Sequence, residues 1–355
     1  MNAMKLYDYT GFIHFHSSLS FDGHAPIKEI VQAAEKNSVD FLMLTDHDHL
    51  QARDQGWEGW QGKTLLIVGE EIALRFNHYL AFNIKEPVIS HYDHTGSSPQ
   101  KYMDEVHSQG GIGFIAHPDH QGTKLFHVKQ YSWNDWEVSG YTGIGVWDFM
   151  TDWQNSLNGY FRALLSFLFP AYFLKGPRSV TLERWDRLNQ SHKVVGIGEL
   201  DNHASTKKIG CFNFVAFPFG RAFRFVSTHI LTEEPFNMDA NRDIRLVYDS
   251  LLRGRCYISL EYFHKAKGFQ FLVEQNGKEF YMGDSMSLSG NARLSVSCPK
   301  KATIRIIRNG QLIHQEPALN LNVPVTETGV YRVEVYLKAA GKSRPWIFSN
   351  PVFIN

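Results

Sequence analysis

Short apolar runs recur along the first two thirds of the chain, and each gives way abruptly to polar residues. Residues 11–15, 41–44 (FLML), 65–68 (LLIV), 112–116 (IGFIA), 144–147 and 194–197 are predicted strands. Between them, residues 27–37 (opened by Pro26), 99–109 (closed by Gly110 and Gly111) and 182–190 have the spacing of helices. Strand alternating with helix predicts parallel pairing through right-handed crossovers, and so an α/β barrel, distorted or incomplete, over residues 1–264.

After about Phe263 the pattern changes. Residues 269–273 and 278–282 flank Asn276-Gly277, and 303–308 and 311–315 flank Asn309-Gly310, both strong hairpin signals. With 330–337 and 346–354 they predict a small antiparallel β-sandwich over 269–355, joined to the barrel by a linker at 265–268. An apolar insert at about 133–175 interrupts the barrel region. Its core, 157–175, is too short to span a membrane and is broken by Arg162 and Pro170, so a buried helix or an apolar lid beside the site is expected.

Composition narrows the function. The 355 residues are 43% hydrophobic and 20% charged, with 36 basic and 36 acidic side chains, so no net field favours nucleic acid or an acidic membrane. Three scattered cysteines, Cys211, Cys256 and Cys298, imply neither a disulfide framework nor a cysteine zinc knuckle. No signal-peptide core opens the chain, and a cytoplasmic protein is expected.

The chemistry lies where the apolar runs stop. His14, His16, His47, Glu71, His117, Asp201 and His203 each sit at or just past the end of a predicted strand. In a parallel barrel those ends converge on one rim, where sites are built. Each has a bland explanation alone. H-x-H is common in surface loops, Asp22-Gly23 in SLSFDG reads as a turn, and an acid of Thr45-Asp46-His47-Asp48 could cap a helix. Together they read as a metal-binding mouth. His14 and His16, two apart on a strand, can reach one ion. Asp46 is expected to orient a neighbouring imidazole from behind or to move protons. Either Glu70 or Glu71 could bridge two cations. His78, which opens YLAFNI, and His117, in AHP, complete the donors with Asp201-Asn202-His203.

The order HFHSSLSFDG, TDHD, GEE, H, AHP and DNH resembles the PHP family of metal-dependent phosphoesterases over residues 11–204. The resemblance implies a distorted seven-stranded (β/α) barrel, and a G-x-E pattern that selects Glu71 as the bridging acid. It also implies a trinuclear site. One ion would be held by His14, His16, Glu71 and Asp201, a second by Glu71, His78 and His117, and a third by Asp22, His47 and His203. The β-rich tail looks like that of the carbaryl-hydrolase-like PHP metallohydrolases.

Nitrogen and oxygen donors without thiolate suit two to three divalent ions of Zn, Mn or Fe. The expected reaction is cleavage of a small phosphate ester by a metal-bound hydroxide, with Asp46, Glu71 and Asp201 as catalytic groups and Arg221, Arg224 and His229 lining a phosphate pocket. The same metals would also serve an amide, carbamate or ester hydrolase. A small-molecule substrate is expected, with no nucleic acid or membrane partner; the oligomeric state is left open. A scaffold whose tail binds a carbohydrate or protein is the non-enzymatic rival.

Overall fold

The computed structural model describes residues 5–90, 98–209 and 212–355. Seven strands close on themselves in chain order: β1 (Tyr7–Phe15), β2 (Phe41–His47), β3 (Thr64–Ile72), β4 (Tyr79–Phe82), β5 (Ile112–Ile115), β6 (Gly143–Asp148) and β7 (Val195–Asn202), which returns to β1. The fold is mixed α/β, a closed barrel with extra strands. Its interior is filled by side chains such as Ile13, Met43, Ile67, Leu80, Phe114 and Ile197.

One expectation fails here. Pairing is not parallel throughout, because β4 runs against both β3 and β5, while the other barrel pairs are parallel. The cause is chain length. Only residues 73–78 separate β3 from β4, and a parallel return needs about a dozen residues or more. The expected insert at 133–175 is also not continuous, since β6 lies inside it and belongs to the barrel wall.

Helices Ile27–Lys36, Gln100–Ser108 and Ser179–Ser191 lie within two or three residues of their expected bounds. The first buries Ile27, Ile30, Val31 and Ala34, an i, i+3, i+4, i+7 stripe. Two further strands and a helix carried no sequence expectation: β8 (Val226–Thr232), the Ala240–Arg253 helix and β9 (Cys256–Leu260). β8 pairs antiparallel with the first half of β1, leaving the second half to β7.

The tail contains β10 (Gln270–Gln275), β11 (Ala292–Arg308), β12 (Gln311–Val325), β13 (Gly329–Ala339) and β14 (Lys342–Ser349). Both Asn-Gly turns are present. Asn276 and Gly277 have φ of 54° and 75°, Asn309 and Gly310 of 51° and 80°, the left-handed pair that a two-residue hairpin requires. The β11 register shifts between Ser297 and Ala302, so its first half pairs β10 and its second half β13. Phe271, Val296, Ile304, Val333 and Trp346 pack between these strands, and the same core takes in Leu231 of β8 and Tyr257 of β9.

Tail and barrel are one continuous hydrogen-bonded system, because β9 pairs with β14 from Tyr257–Ser349 to Ser259–Ile347. Residues 265–268 are held against the barrel. Ala266 is buried, Gly268 N–H donates to Asp8 (2.7 Å), and Lys267 pairs with Asp40 (3.1 Å). Cys256 and Cys298 are buried free thiols, and Cys211 lies outside the described residues.

Candidate metal centre

The rim at the ends of β1, β2, β3, β5 and β7 gathers the residues expected from sequence. His78 joins them from the start of β4, because a reversed strand begins where its neighbours finish. Reaching inward from a strand end strains the backbone. His14, His117 and Asp201 have φ of 66°, 27° and 46°, in the region that non-glycine residues avoid. Each costs on the order of 1–3 kcal/mol and persists only where surrounding contacts enforce it. At Asp201 the enforcement is a bulge, since the β1–β7 register slips between Ile13–Glu199 and Phe15–Asn202.

All nine expected donors meet, in three overlapping groups: His14, His16, Glu71 and Asp201; Glu71, His78 and His117; and Asp22, His47 and His203, with His16 also within reach of the last. Glu71 lies between them. Its Oε2 faces His14 Nε2 (3.0 Å), His16 Nε2 (3.2 Å) and His47 Nε2 (3.6 Å). Its Oε1 faces His78 Nδ1 (2.6 Å) and His117 Nε2 (3.2 Å). Asp22 Oδ2 stands 3.1 Å from both His47 Nε2 and His203 Nε2. Glu70 points away and accepts the Val88 N–H (2.7 Å), and burial raises its carboxyl to about 8.

The donor set fits cations better than it fits itself. His16 Nε2 lies close to two carboxylates, yet neither of its ring nitrogens makes a hydrogen bond. A buried imidazole that makes no hydrogen bond is costly. Nitrogen–oxygen separations near 3 Å suit two ligands sharing an ion at about 2 Å from each. The outward nitrogens of three other imidazoles are occupied: His14 Nδ1 by Glu199 (3.0 Å), His47 Nδ1 by the Glu71 carbonyl (3.2 Å) and His203 Nδ1 by the Asp201 carbonyl (3.1 Å). Each contact leaves Nε2 directed at the centre.

Charge favours the same end. Burial alone would raise the carboxyls of Asp22, Glu71 and Asp201, but the surrounding imidazoles hold all three below the ordinary range. They are therefore anionic at neutral pH.

Two residues that sequence reasoning passed over belong here. Glu199 is fully buried; Oε1 meets His14 Nδ1, and Oε2 accepts the His117 backbone N–H (2.9 Å). Room for it comes from Gly145, where a Cβ would lie 1.4 Å from Glu199 Oε2. Its signal was faint, an acid two residues before Asp201 inside an apolar strand. Asp148 closes β6 as Asp201 nearly closes β7, and the strand-end pattern could have found it. Burial, then Asp201 and Glu199, push its carboxyl up to about 7.

Four of the expected site residues make their contacts elsewhere. Both Asp46 oxygens bind Ser17, through the N–H (2.6 Å) and the hydroxyl (2.7 Å), fixing the loop that carries Asp22, and among the described residues no hydrogen bond joins Asp46 to an imidazole. Arg221 donates to the Phe167 and Leu168 carbonyls and anchors a helix. Arg224 is exposed and stacks on Tyr262. His229 is sealed beside Thr10 in the β1–β8 ladder, four residues below His14 and so roughly 13 Å from the rim. There it lies between Asp8 (2.7 Å) and Glu261 (3.1 Å).

Residues 13–121 match the family model described as the PHP domain. Among solved structures, a two-domain protein containing a predicted PHP-like metal-dependent phosphoesterase from Bacteroides vulgatus is 15% identical. That likeness covers 97% of this chain and 95% of the other, at a TM-score of 0.45. An amidohydrolase from Chromobacterium violaceum is 14% identical over 59% of this chain and 92% of its own, at a TM-score of 0.32. No curated protein matches the chain.

Proposed function

We propose that this chain, which carries a PHP domain over residues 13–121, is a metal-dependent hydrolase that cleaves a small phosphate ester at a trinuclear centre. The observation that supports it most is Glu71, whose two oxygens face separate sets of imidazoles within one buried cluster. A neutral donor could not serve two cations in this way. Zn, Mn or Fe ions would be held by His14, His16, Glu71 and Asp201, by Glu71, His78 and His117, and by Asp22, His47 and His203. When bound, such ions supply Lewis acidity toward the phosphate and lower the pKa of water.

The chain's own residues do the rest. Glu199 sets the tautomer of His14, and Asp46 holds the Asp22 loop through Ser17. Asp201 is less enclosed than Glu71, and the imidazoles around it hold its carboxylate ionised. Arg178, which donates to the Asp119 carbonyl (2.6 Å), lines a small cavity with His117 and Asp148. Free, buried Cys256 and Cys298 suit a reducing, cytoplasmic setting.

One observation favours a second reading. None of the three side chains expected to bind phosphate reaches the centre, which leaves attack on a carbonyl (amide, carbamate or ester) better placed than the sequence suggested. The deciding experiment is metal analysis of protein purified without added metal, followed by parallel assays on phosphate monoesters and aryl carbamates. The phosphoesterase reading expects bound metal and turnover of the phosphates, both lost in Glu71→Gln. Bound metal with carbamate turnover alone would install the second reading. Metal-free protein that hydrolyses neither after metal is restored would end both.

A further inference from the structure

The Tyr160–Leu168 helix shows an apolar face that no described part of the chain covers. Tyr160, Phe161, Leu164 and Leu168 are 78%, 76%, 55% and 49% exposed. At about 100° per residue these four positions fall within one arc of roughly 100°. Ala163 and Ser166, on the other side, are buried against the protein. Phe169 and Tyr172 extend the exposed surface beyond the helix end. Scattered exposed apolar residues are ordinary, but six together on one surface mark an interaction site.

The exposed charges of this segment are basic. From Trp153 to Leu182 the chain carries Arg162, Lys175 and Arg178; of the flanking acids, Asp152 is buried on the Lys175 and Gly176 N–H groups, and Glu183 follows on the next helix. Arg221 donates to the Leu168 carbonyl (2.8 Å) and Arg344 to the Tyr172 carbonyl (2.6 Å), placing two more cations at the border. The neutrality of the whole chain conceals this local bias.

The helix also stands at the rim of the centre. Trp153, just beyond β6, donates its indole N–H to the Ser166 carbonyl (3.2 Å), and Phe167 packs on Phe217, with ring centroids 5.3 Å apart. Phe217 is itself tied to Asn202 at the end of β7 (3.0 Å).

We propose that this surface docks on an anionic lipid bilayer, with Tyr160, Phe161, Leu164 and Leu168 entering the headgroup layer and Arg162 and Lys175 meeting lipid phosphates. Exposed aromatic and leucine side chains bordered by cations are the makings of an interfacial helix, and here the protein body takes the place of the polar face. The segment lies on the membrane and does not cross it. Nine residues reach only about 14 Å, and no described helix is long and apolar enough to span. A second copy of the chain is a poorer occupant, because a two-fold contact through this face would bring together two sets of the same cations, Arg162 and Lys175. The inference is independent of the metal reading.

The test is vesicle flotation of the full chain with phosphatidylcholine alone and with phosphatidylcholine mixed with phosphatidylserine. Binding to the anionic vesicles is expected to be at least roughly tenfold stronger. F161S/L164S should lower it by roughly tenfold or more, and R162E should weaken binding to anionic vesicles only, both at an unchanged melting temperature. If the double substitution unfolds the chain, R162E and the salt dependence of the wild type decide. Failure to float with anionic vesicles, or R162E behaving as wild type, overturns the proposal. So does a dimer in light scattering that F161S/L164S abolishes, which would assign the face to a second copy.

Discussion

His14 presents Nε2 to Glu71 because its Nδ1 is held 3.0 Å from Glu199 Oε1. The same carboxylate steadies the backbone of His117, so one buried acid helps place two donors that face different oxygens of Glu71. Glu199→Gln should lower metal affinity by about 10–100-fold, the usual cost of losing a group behind a ligating histidine. A chelator-competition titration measures it, with circular dichroism to show the fold intact. Unchanged affinity would remove Glu199 from the centre.

Gly145→Ala should act through the same residue. Its Cβ would collide with the Glu199 carboxylate, so metal affinity should fall without any donor being altered. The competition titration that reads Glu199→Gln reads this variant also.

Metal should stabilise the fold as well as support turnover. Three carboxylates and six imidazoles converge on one buried pocket, and metal at 100 times its dissociation constant adds about 2.7 kcal/mol per site. Chelation should therefore lower the melting temperature by several degrees and readdition restore it, as read by calorimetry. Identical melting curves would count against any tight site.

His229 gives a pH signature remote from the centre. Burial lowers its pKa, but Asp8 and Glu261 outweigh burial and raise it to about 9. With an unfolded value near 6.5, its contribution is fully present below pH 6.5 and is lost as pH rises through about 9. Glu261, held near 2, contributes above pH 4.5 and loses that contribution as pH falls through about 2. His229→Gln should cost about 3–5 kcal/mol near pH 6 by removing the imidazolium that Asp8 and the buried Glu261 share. It should also flatten the decline in melting temperature between pH 6.5 and 9. The same slope in variant and wild type would contradict the ion-pair account.

Arg332 makes a comparable contact between barrel and tail. Its Nε and Nη2 meet both oxygens of Asp186 (2.6 and 2.8 Å), and Nη1 meets Glu334 (2.7 Å), all buried. Arg332→Ala should destabilise by about 3–5 kcal/mol, measured by urea unfolding. A loss under 1 kcal/mol would show the bridge to be dispensable.

The centre was more legible than the surface around it. Imidazoles and carboxylates following FLML, LLIV and IGFIA reported their own positions, because a strand end in a barrel has one rim to face. Glu199 hid inside its strand, where an acid has no periodic signature. The reversal of β4 was readable only from the length of its connection, and β8 and β9 lay in stretches where Ser, Thr and His break the apolar pattern. Arg221 and Arg224 misled because local sequence does not reveal that a guanidinium is already engaged by a carbonyl or a tyrosine ring.

The ladder between β9 and β14 makes the tail a guard for the barrel. A chain cut after Tyr262 would keep every donor of the centre yet leave Tyr257, Ile258 and Ser259 with an unsealed flank, a template for cross-pairing between molecules. Shortened versions of this protein should fail first by clumping, with their chemistry still intact inside.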